Sequence, residues 1–301
     1  MIKTVLYYYV VFPLVLGAVF VLILLGAQAF DSFNTRTFGA IESPDGTEIA
    51  VVRKTNSRPN IFIVNKATGE STQLTRDGLA SSPAWFPDGK RIAWSCSTKQ
   101  GGVANICVTI LTGGTTTRLT NDVSYDSDPS VSPDGEKIVF SRGFSGKRAL
   151  FVLDIQSGKI ESLPSSSVTD GHSPQWSPVD QSTILFTSLV NGSPHLYLMD
   201  KTTTVHLGVG ENGIWSPDGK QIVFSRTQPC GLAATCTDTY IMDADGSRAH
   251  PFSTPSKPSS WSADGSTIYS TSSFGAIGVI DREWVVGTRL DTGLPFDIPM
   301  K

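Results

Sequence analysis

The phrase Ser-Pro-Asp-Gly occurs three times in this 301-residue chain, at residues 43–46, 132–135 and 216–219. Three degraded copies accompany it: Phe86-Pro87-Asp88-Gly89, Ser177-Pro178-Val179-Asp180 and Ser262-Ala263-Asp264-Gly265. Counted at the proline position, successive copies lie 43, 46, 45, 39 and 46 residues apart. Proline presets φ for the first central position of a turn, aspartate supplies a side-chain acceptor and glycine a permissive backbone, so each phrase joins two antiparallel strands. A turn recurring at this period marks four-stranded units that cannot bury their faces alone and stack around a shared axis. A β-sandwich has no need of one turn phrase at a fixed period. The expected fold is all-β, a six-bladed β-propeller.

The flanking residues agree. Two positions ahead of the proline stands a large residue, Trp85, Val131, Trp176, Trp215 or Trp261, and only Glu42 departs from this. The four tryptophans are expected at equivalent, largely buried positions. Five residues after the proline comes a β-rich run, as in Ile92-Ala93-Trp94 and Ile222-Val223-Phe224, with Ile184-Leu185-Phe186 one residue late. Third strands are expected at residues 61–64, 106–110, 150–153, 196–199, 240–242 and 277–280, and a weaker fourth strand closes most repeats. On this reading the propeller spans residues 35–290 and residues 291–301 are a C-terminal tail.

The Trp-Ser-Pro-Asp-Gly, Ile-Val-Phe-Ser and Tyr-Ile-Met-Asp-Ala-Asp-Gly phrases resemble the Pro-Asp repeats of the TolB-like six-bladed β-propeller family. The resemblance implies a periplasmic protein with an α/β domain ahead of its propeller. Here the first repeat begins within a dozen residues of an apolar segment, so that domain is expected to be absent. Its contacts to the Tol transport machinery are therefore not carried over. Propellers of this kind serve as binding platforms, peptidase lids and occasionally lyases, so the resemblance is specific for fold and not for function.

The apolar segment has its own consequence. No charged residue occurs from Thr4 to Phe30, and Leu6 to Leu25 is long enough to cross a hydrocarbon core of roughly 30 Å as a helix. One N-terminal apolar helix is expected, and two readings stay open for residues 1–29. Ala27-Gln28-Ala29 fits the cleavage site of a signal peptide, whereas the length of the apolar stretch fits a single transmembrane anchor through residues 4–25. Lys3 on the near side orients the propeller away from the cytoplasm in either case. The expected location is exported: periplasmic, or anchored in the inner membrane with the propeller outside the cytoplasm. Four cysteines in an exported chain are disulfide candidates. Cys96 and Cys107 are expected to face each other across a hairpin turning at Gly101-Gly102, and Cys230 and Cys236 to close a short loop.

Composition and motifs exclude much else. With 24 basic against 27 acidic residues the net charge is −3, and without a Lys/Arg stripe nucleic acid is not an expected partner. Neither a Gly-x-Ser-x-Gly elbow, a phosphate loop nor a dinucleotide fingerprint is present. Asp243-Ala244-Asp245-Gly246-Ser247 begins like a calcium loop but lacks the glutamate at position twelve, and reads as a plain turn. No cofactor is expected.

What remains is the face carrying the loops between fourth and first strands and between second and third strands. It contains Asp77, Tyr125, Asp126, Asp128, Asp170, His172, Glu211 and Lys257, while Arg53, Arg142 and Arg226 share one position four residues after the leading Ile in alternate repeats. Binding residues concentrate on loops set on a rigid scaffold. The expected function is non-enzymatic: a charged rim presented to a protein or peptide partner in the cell envelope. The alternative is a metal-dependent, carbohydrate-active, lyase-like propeller enzyme using His172 and His195, although a catalytic metal normally takes three protein ligands.

Overall fold

The computed structural model describes residues 36–299, apart from 56–57, 77–78, 98–102, 122, 145–146, 165–169, 201, 230–234, 254–256, 272–283 and 290–294. Every Pro-Asp-Gly phrase or its degraded copy falls between the first and second strands of a four-stranded antiparallel sheet, as the turn chemistry requires. The first sheet is β1 (Arg36–Glu42), β2 (Glu48–Thr55), β3 (Arg58–Asn65) and β4 (Ser71–Gln73). The second is β5 (Ala80–Trp85), β6 (Arg91–Ser97), β7 (Ala104–Ile110) and β8 (Thr116–Arg118). The third is β9 (Asp126–Val131), β10 (Lys137–Arg142), β11 (Ala149–Asp154) and β12 (Ile160–Ser162). The fourth is β13 (His172–Trp176), β14 (Ile184–Val190), β15 (Ser193–Met199) and β16 (Thr204–Val209). The fifth is β17 (Glu211–Trp215), β18 (Gln221–Pro229), β19 (Thr235–Asp243) and β20 (His250–Ser253). The sixth is β21 (Lys257–Trp261), β22 (Thr267–Thr271), β23 (Trp284–Arg289) and β24 (Pro295–Pro299). Five sheets carry described side chains on all four strands; in the sixth only β21 and β22 do.

This is an all-β propeller. First strands of neighbouring sheets lie against one another, β1 by β5, β5 by β9, β9 by β13, β13 by β17 and β17 by β21, so they surround the axis and the fourth strands lie outermost. The core is the set of spaces between sheets. Ala50, Val52, Ile61 and Ile63 meet Trp85, Ile92 and Trp94 between the first and second sheets, and Phe86, Ala93 and Ile106 meet Ile138, Phe140 and Leu153 between the second and third. Leu185 and Leu196 pack on Ile222, Phe224 and Met242 between the fourth and fifth. Both faces of an inner strand are therefore buried, which explains unbroken apolar runs in place of alternation.

The turn phrase is a closed hydrogen-bonding unit. At Ser43 to Gly46 the Gly46 N–H donates to the Ser43 carbonyl at 2.9 Å, and the Ser43 hydroxyl donates to Asp45 at 2.6 Å while accepting from the Glu48 N–H at 2.9 Å. The same bonds recur at Ser132/Asp134, Ser216/Asp218 and Ser262/Asp264. The Ser262 hydroxyl and the Ser266 N–H hold the Asp264 carboxyl down at about 2. In the fourth repeat burial opposes the charge on Asp180, but N–H groups of Ser182 and Thr183 outweigh it and again set a value of about 2. Glycine is required at the fifth copy: Gly219 has φ +69°, and a Cβ there would come within 2.7 Å of Val179 in the preceding turn.

A carboxyl depressed in the folded state stabilises it above the unfolded value, about 3.9, and that contribution is lost as pH falls through the folded value. The thermal midpoint is therefore expected to fall between pH 4 and pH 2, and Asp264→Asn to flatten the profile in that window. Melting curves across pH 2 to 7 check this, and identical profiles for both proteins would refute it.

The large residue before each turn ends its first strand in one register, with Trp85 opposite Ile92, Trp176 opposite Ile184, Trp215 opposite Ile222, Trp261 opposite Ile268 and Glu42 opposite Ile49. Trp85, Trp176 and Trp261 are buried; Trp215 stays half-buried against the Leu185 cluster. Indole N–H groups of Trp85 and Trp261 donate to the backbone carbonyls of Ile41 and Ile214 in the preceding sheet, at 2.9 and 3.2 Å.

One expectation is not reached by the described residues, and others change. The apolar helix of residues 1–29 lies outside the described residues, and no described helix is long and apolar enough to cross a membrane. The third strand of the sixth sheet is β23, not residues 277–280, which lie outside the described residues. Trp284-Val285-Val286 carries the same aromatic and β-branched preference, and only pairing with β22 discriminates between the two runs. The presumed tail contributes β24, hydrogen-bonded to β23, so pairing continues past residue 290.

Cys96 and Cys107 are joined in a disulfide. The register places Cys96 opposite Asn105 and Trp94 opposite Cys107, so the bridge is diagonal and not directly across the hairpin. Cys236 is also disulfide-bonded; its expected partner, Cys230, lies outside the described residues.

Candidate functional site

Most of the expected site residues gather at one end of the sheets. Asp126, His172, Glu211 and Lys257 begin the first strands of four sheets, Tyr125 and Asp170 stand one and two residues ahead of two of them, and Arg53, Arg142 and Arg226 lie near the adjoining ends of second strands. The side chain of Lys257, and Asp77 altogether, lie outside the described residues.

Each of the three arginines covers an aromatic ring of its own sheet. The Arg53 guanidinium carbon is 4.6 Å from the centre of Phe62, that of Arg142 is 4.9 Å from Phe151, and that of Arg226 is 4.4 Å from Tyr240. These rings share one register position, opposite Val51, Phe140 and Phe224 on the second strands. The arginine stems and faces thus shield the outer edge of the core.

Geometry divides the acidic residues in a way that their loop positions do not announce. Asp126 is 0% exposed and accepts two hydrogen bonds from Arg142, at 2.7 and 2.9 Å. Asp170 is 3% exposed and accepts two from Arg148, at 2.8 and 2.9 Å, as well as the Arg148 N–H at 3.2 Å. Such two-pronged pairs fix the planes of both groups. Asp170 belongs to the fourth sheet and Arg148 to the third, so this pair clamps two sheets together. Pairing with Asp170 raises the Arg148 guanidinium above its usual range, against the opposing effect of its own burial.

Asp128 links the third sheet to the second. It sits in a β-bulge of β9 at φ 54°, where it accepts the Ser82 hydroxyl of the second sheet at 2.9 Å. Equivalent bulges hold Ser82, Ser173 and Asn212 at φ 50°, 49° and 54° in β5, β13 and β17. Bulges increase local twist, and twist lets the innermost strands crowd around an axis.

The buried pairs hold up something that sequence reasoning missed. Residues 143–148 join β10 to β11, and the joint is pinned at both ends: the Gly143 N–H donates to the Tyr125 carbonyl at 2.9 Å, and Arg148 is held by Asp170. Gly143 has φ +118°, and a Cβ there would lie 2.6 Å from the Lys147 carbonyl oxygen, so the tight joint requires glycine. Phe144 projects from it with 67% exposure, its ring centre 6.0 Å from that of Tyr125, and Val123 beside Tyr125 in sequence is 89% exposed. Lys147 is exposed on the same joint. A signal did exist in the sequence: the phenylalanine of Gly143-Phe144-Ser145-Gly146 stands in a glycine-flanked joint where no core position requires it.

His172 and His195 do not come together. His172 pairs with Thr187, which pairs with Leu196; His195 pairs with Ser188. The two histidines are thus separated by β14 and, by strand alternation, point to opposite faces of the sheet. The His172 ring nitrogen Nδ1 bonds instead with the Asp170 carbonyl oxygen at 3.0 Å. Among the described residues no three His, Cys, Asp or Glu side chains are gathered as a metal would need. The metal-enzyme constellation on His172 and His195 is therefore not formed.

The TolB β-propeller domain model, PD40, matches residues 35–169. The Tol-Pal system protein TolB of Francisella tularensis subsp. tularensis (strain WY96-3418) is 29% identical over 173 residues, which are 52% of this chain and 38% of that protein. A TolB homolog of Chlorobium luteolum is 37% identical over 117 residues, 39% of this chain and 26% of that protein. The matched regions are thus 38% and 26% of the lengths of these two curated relatives. Among solved structures, TolB from Acinetobacter baumannii superposes with a TM-score of 0.68 at 21% identity, covering 89% of this chain and 64% of that one. A recurring Pro-Asp turn, sheets stacked around their first strands and these matches make the chain similar to TolB-like β-propellers, the domain model matching residues 35–169.

Proposed function

We propose that this chain is a non-enzymatic binding module of the cell envelope, exported from the cytoplasm, and that it captures a protein or peptide through the third-sheet end of its loop face. The observation that carries this reading is exposed Phe144 against Tyr125, mounted on a joint anchored by two buried ion pairs, together with exposed Val123 two residues before Tyr125. Aromatic residues and arginine are enriched in interface cores, and a pinned loop loses little entropy on binding. Charged Lys147 beside the apolar group favours an acidic residue next to an apolar one in the partner. Asp126 and Asp170 act from below, by orienting Arg142 and Arg148. The Cys96/Cys107 disulfide ties β6 to β7 of the neighbouring second sheet, and its presence fits an oxidising compartment.

In this reading all six sheets are blades of one closed ring. Ala40, Ile49 and Val64 of the first sheet bury Tyr269 of the sixth, and Glu42 accepts the Ala263 N–H at 2.7 Å, which supports closure between the two ends of the repeat.

The test is capture of envelope proteins on purified propeller, with parallel variants. Phe144→Ser combined with Val123→Ser is expected to reduce recovery of the captured partner at least tenfold. Asp88→Lys, in a Pro-Asp-Gly turn at the other end of the sheets, is expected to leave recovery unchanged. Equal recovery by both variants would remove the third-sheet joint from the binding site.

A further inference from the structure

A second histidine pair, which shares His195 with the expected one, brings two imidazole nitrogens within hydrogen-bond distance. On the outer part of the fourth sheet, His195 of β15 and His206 of β16 approach with Nδ1 of the first 2.8 Å from Nε2 of the second. They are not direct cross-strand neighbours. Tyr197 pairs with His206 and His195 with Val209, and a register shift between Leu196 and Tyr197 brings the two imidazoles together diagonally. The His206 ring also lies 5.1 Å from that of Tyr197, which itself stacks on buried Phe186 at 5.6 Å. This stack limits the rotation of His206, while His206 itself remains exposed to solvent.

We propose that His195 and His206 form a surface site for one divalent transition cation of the zinc, nickel and copper class. Imidazole nitrogen suits these cations, and the pair offers two neutral nitrogens aimed at a common point. Zinc bound to two imidazoles at 2.0–2.1 Å separates the nitrogens by about 3.3 Å, so the rings need to part by only about half an ångström. The hydrogen bond between the rings requires that one facing nitrogen now carries a proton. On binding, that ring changes tautomer: the facing nitrogen releases its proton to water and its other nitrogen takes one up, leaving both rings neutral with both facing nitrogens as ligands. Water fills the remaining coordination positions. The site lies on outer strands and does not depend on the proposed protein-binding face.

The experiment is titration of the tag-free full chain with zinc chloride, in competition with a chromophoric chelator. One equivalent per chain is expected, with affinity falling at least tenfold in both His195→Ala and His206→Ala and unchanged in His172→Ala. Copper(II) is expected to bind the same site more tightly than zinc, following the general order of divalent affinities. Should His195→Ala fail to fold, His206→Ala on the exposed outer strand carries the test. Binding that is absent, or that survives loss of His206, would overturn the proposal.

Discussion

Glu42→Ala is expected to lower the stability of the propeller by about 2–4 kcal/mol, somewhat below the usual cost of removing one partner from a buried ion pair because Lys66 keeps partial access to water. Glu42 occupies the position that four other repeats give to tryptophan, at the seam between the first and sixth sheets. Its side chain is only 2% exposed, and it accepts hydrogen bonds from the Ala263 N–H at 2.7 Å, from the Tyr269 hydroxyl at 3.3 Å and from the Lys66 ammonium. One carboxylate therefore ties a backbone, a phenol and a cation from the two ends of the repeat. Burial lowers the Lys66 pKa, but the hydrogen bonds to Glu42 and Tyr269 and the charges of both groups together more than reverse this, and burial together with the Glu42 charge raises Tyr269. Alanine would leave all three donors without their acceptor. Glu42→Gln keeps an acceptor for the Ala263 N–H and should cost less. At roughly 2–4 °C per kcal/mol for a chain of this size, calorimetry resolves the difference easily. An unchanged midpoint for the alanine variant would show that the seam is held by its apolar contacts alone.

Asp126→Ala is expected to cost about 3 kcal/mol, because it leaves the Arg142 guanidinium, whose side chain is 17% exposed, without the carboxylate that neutralises it. Joint replacement as Asp126→Leu with Arg142→Met should recover most of that loss, since apolar groups of similar volume do not pay for desolvated charge. The cycle also separates two roles for Asp126. As a supporting residue it should affect partner capture only in proportion to lost fold and altered loop order. Were Asp126→Ala to melt like the parent protein while losing capture completely, the carboxylate would be a direct contact and the buried-pair account would fail.

The repeat was legible because its determinants are local. Serine, proline, aspartate and glycine within four residues satisfy one another through the turn hydrogen bonds, and the strands they join are neighbours in the chain. The tryptophan positions could be aligned by counting from those turns. Where counting had no local anchor it slipped. The sixth repeat offered two β-rich runs after β22, and pairing with β22 selected the later one. The disulfide partners followed from spacing, yet their diagonal register needed the positions of β6 and β7.

By itself, the sequence determined the all-β class, the turn chemistry, the period and the end of the sheets where charged loops gather, since each depends on residues within a few positions of one another. Only the tertiary structure decided which of those charges face outward. Asp126 and Asp170 look like rim residues in the sequence, but arginines 16 and 22 residues away draw them into buried pairs, while the apolar Phe144 and Val123 are exposed. The histidines follow the same rule: an irregularity in the pairing of β15 with β16 puts His195 beside His206, and strand alternation turns it away from His172. The physical reason is common to both. A side chain's neighbours across a sheet or between sheets are set by register and by stacking of whole sheets, and neither is encoded within the few residues around it.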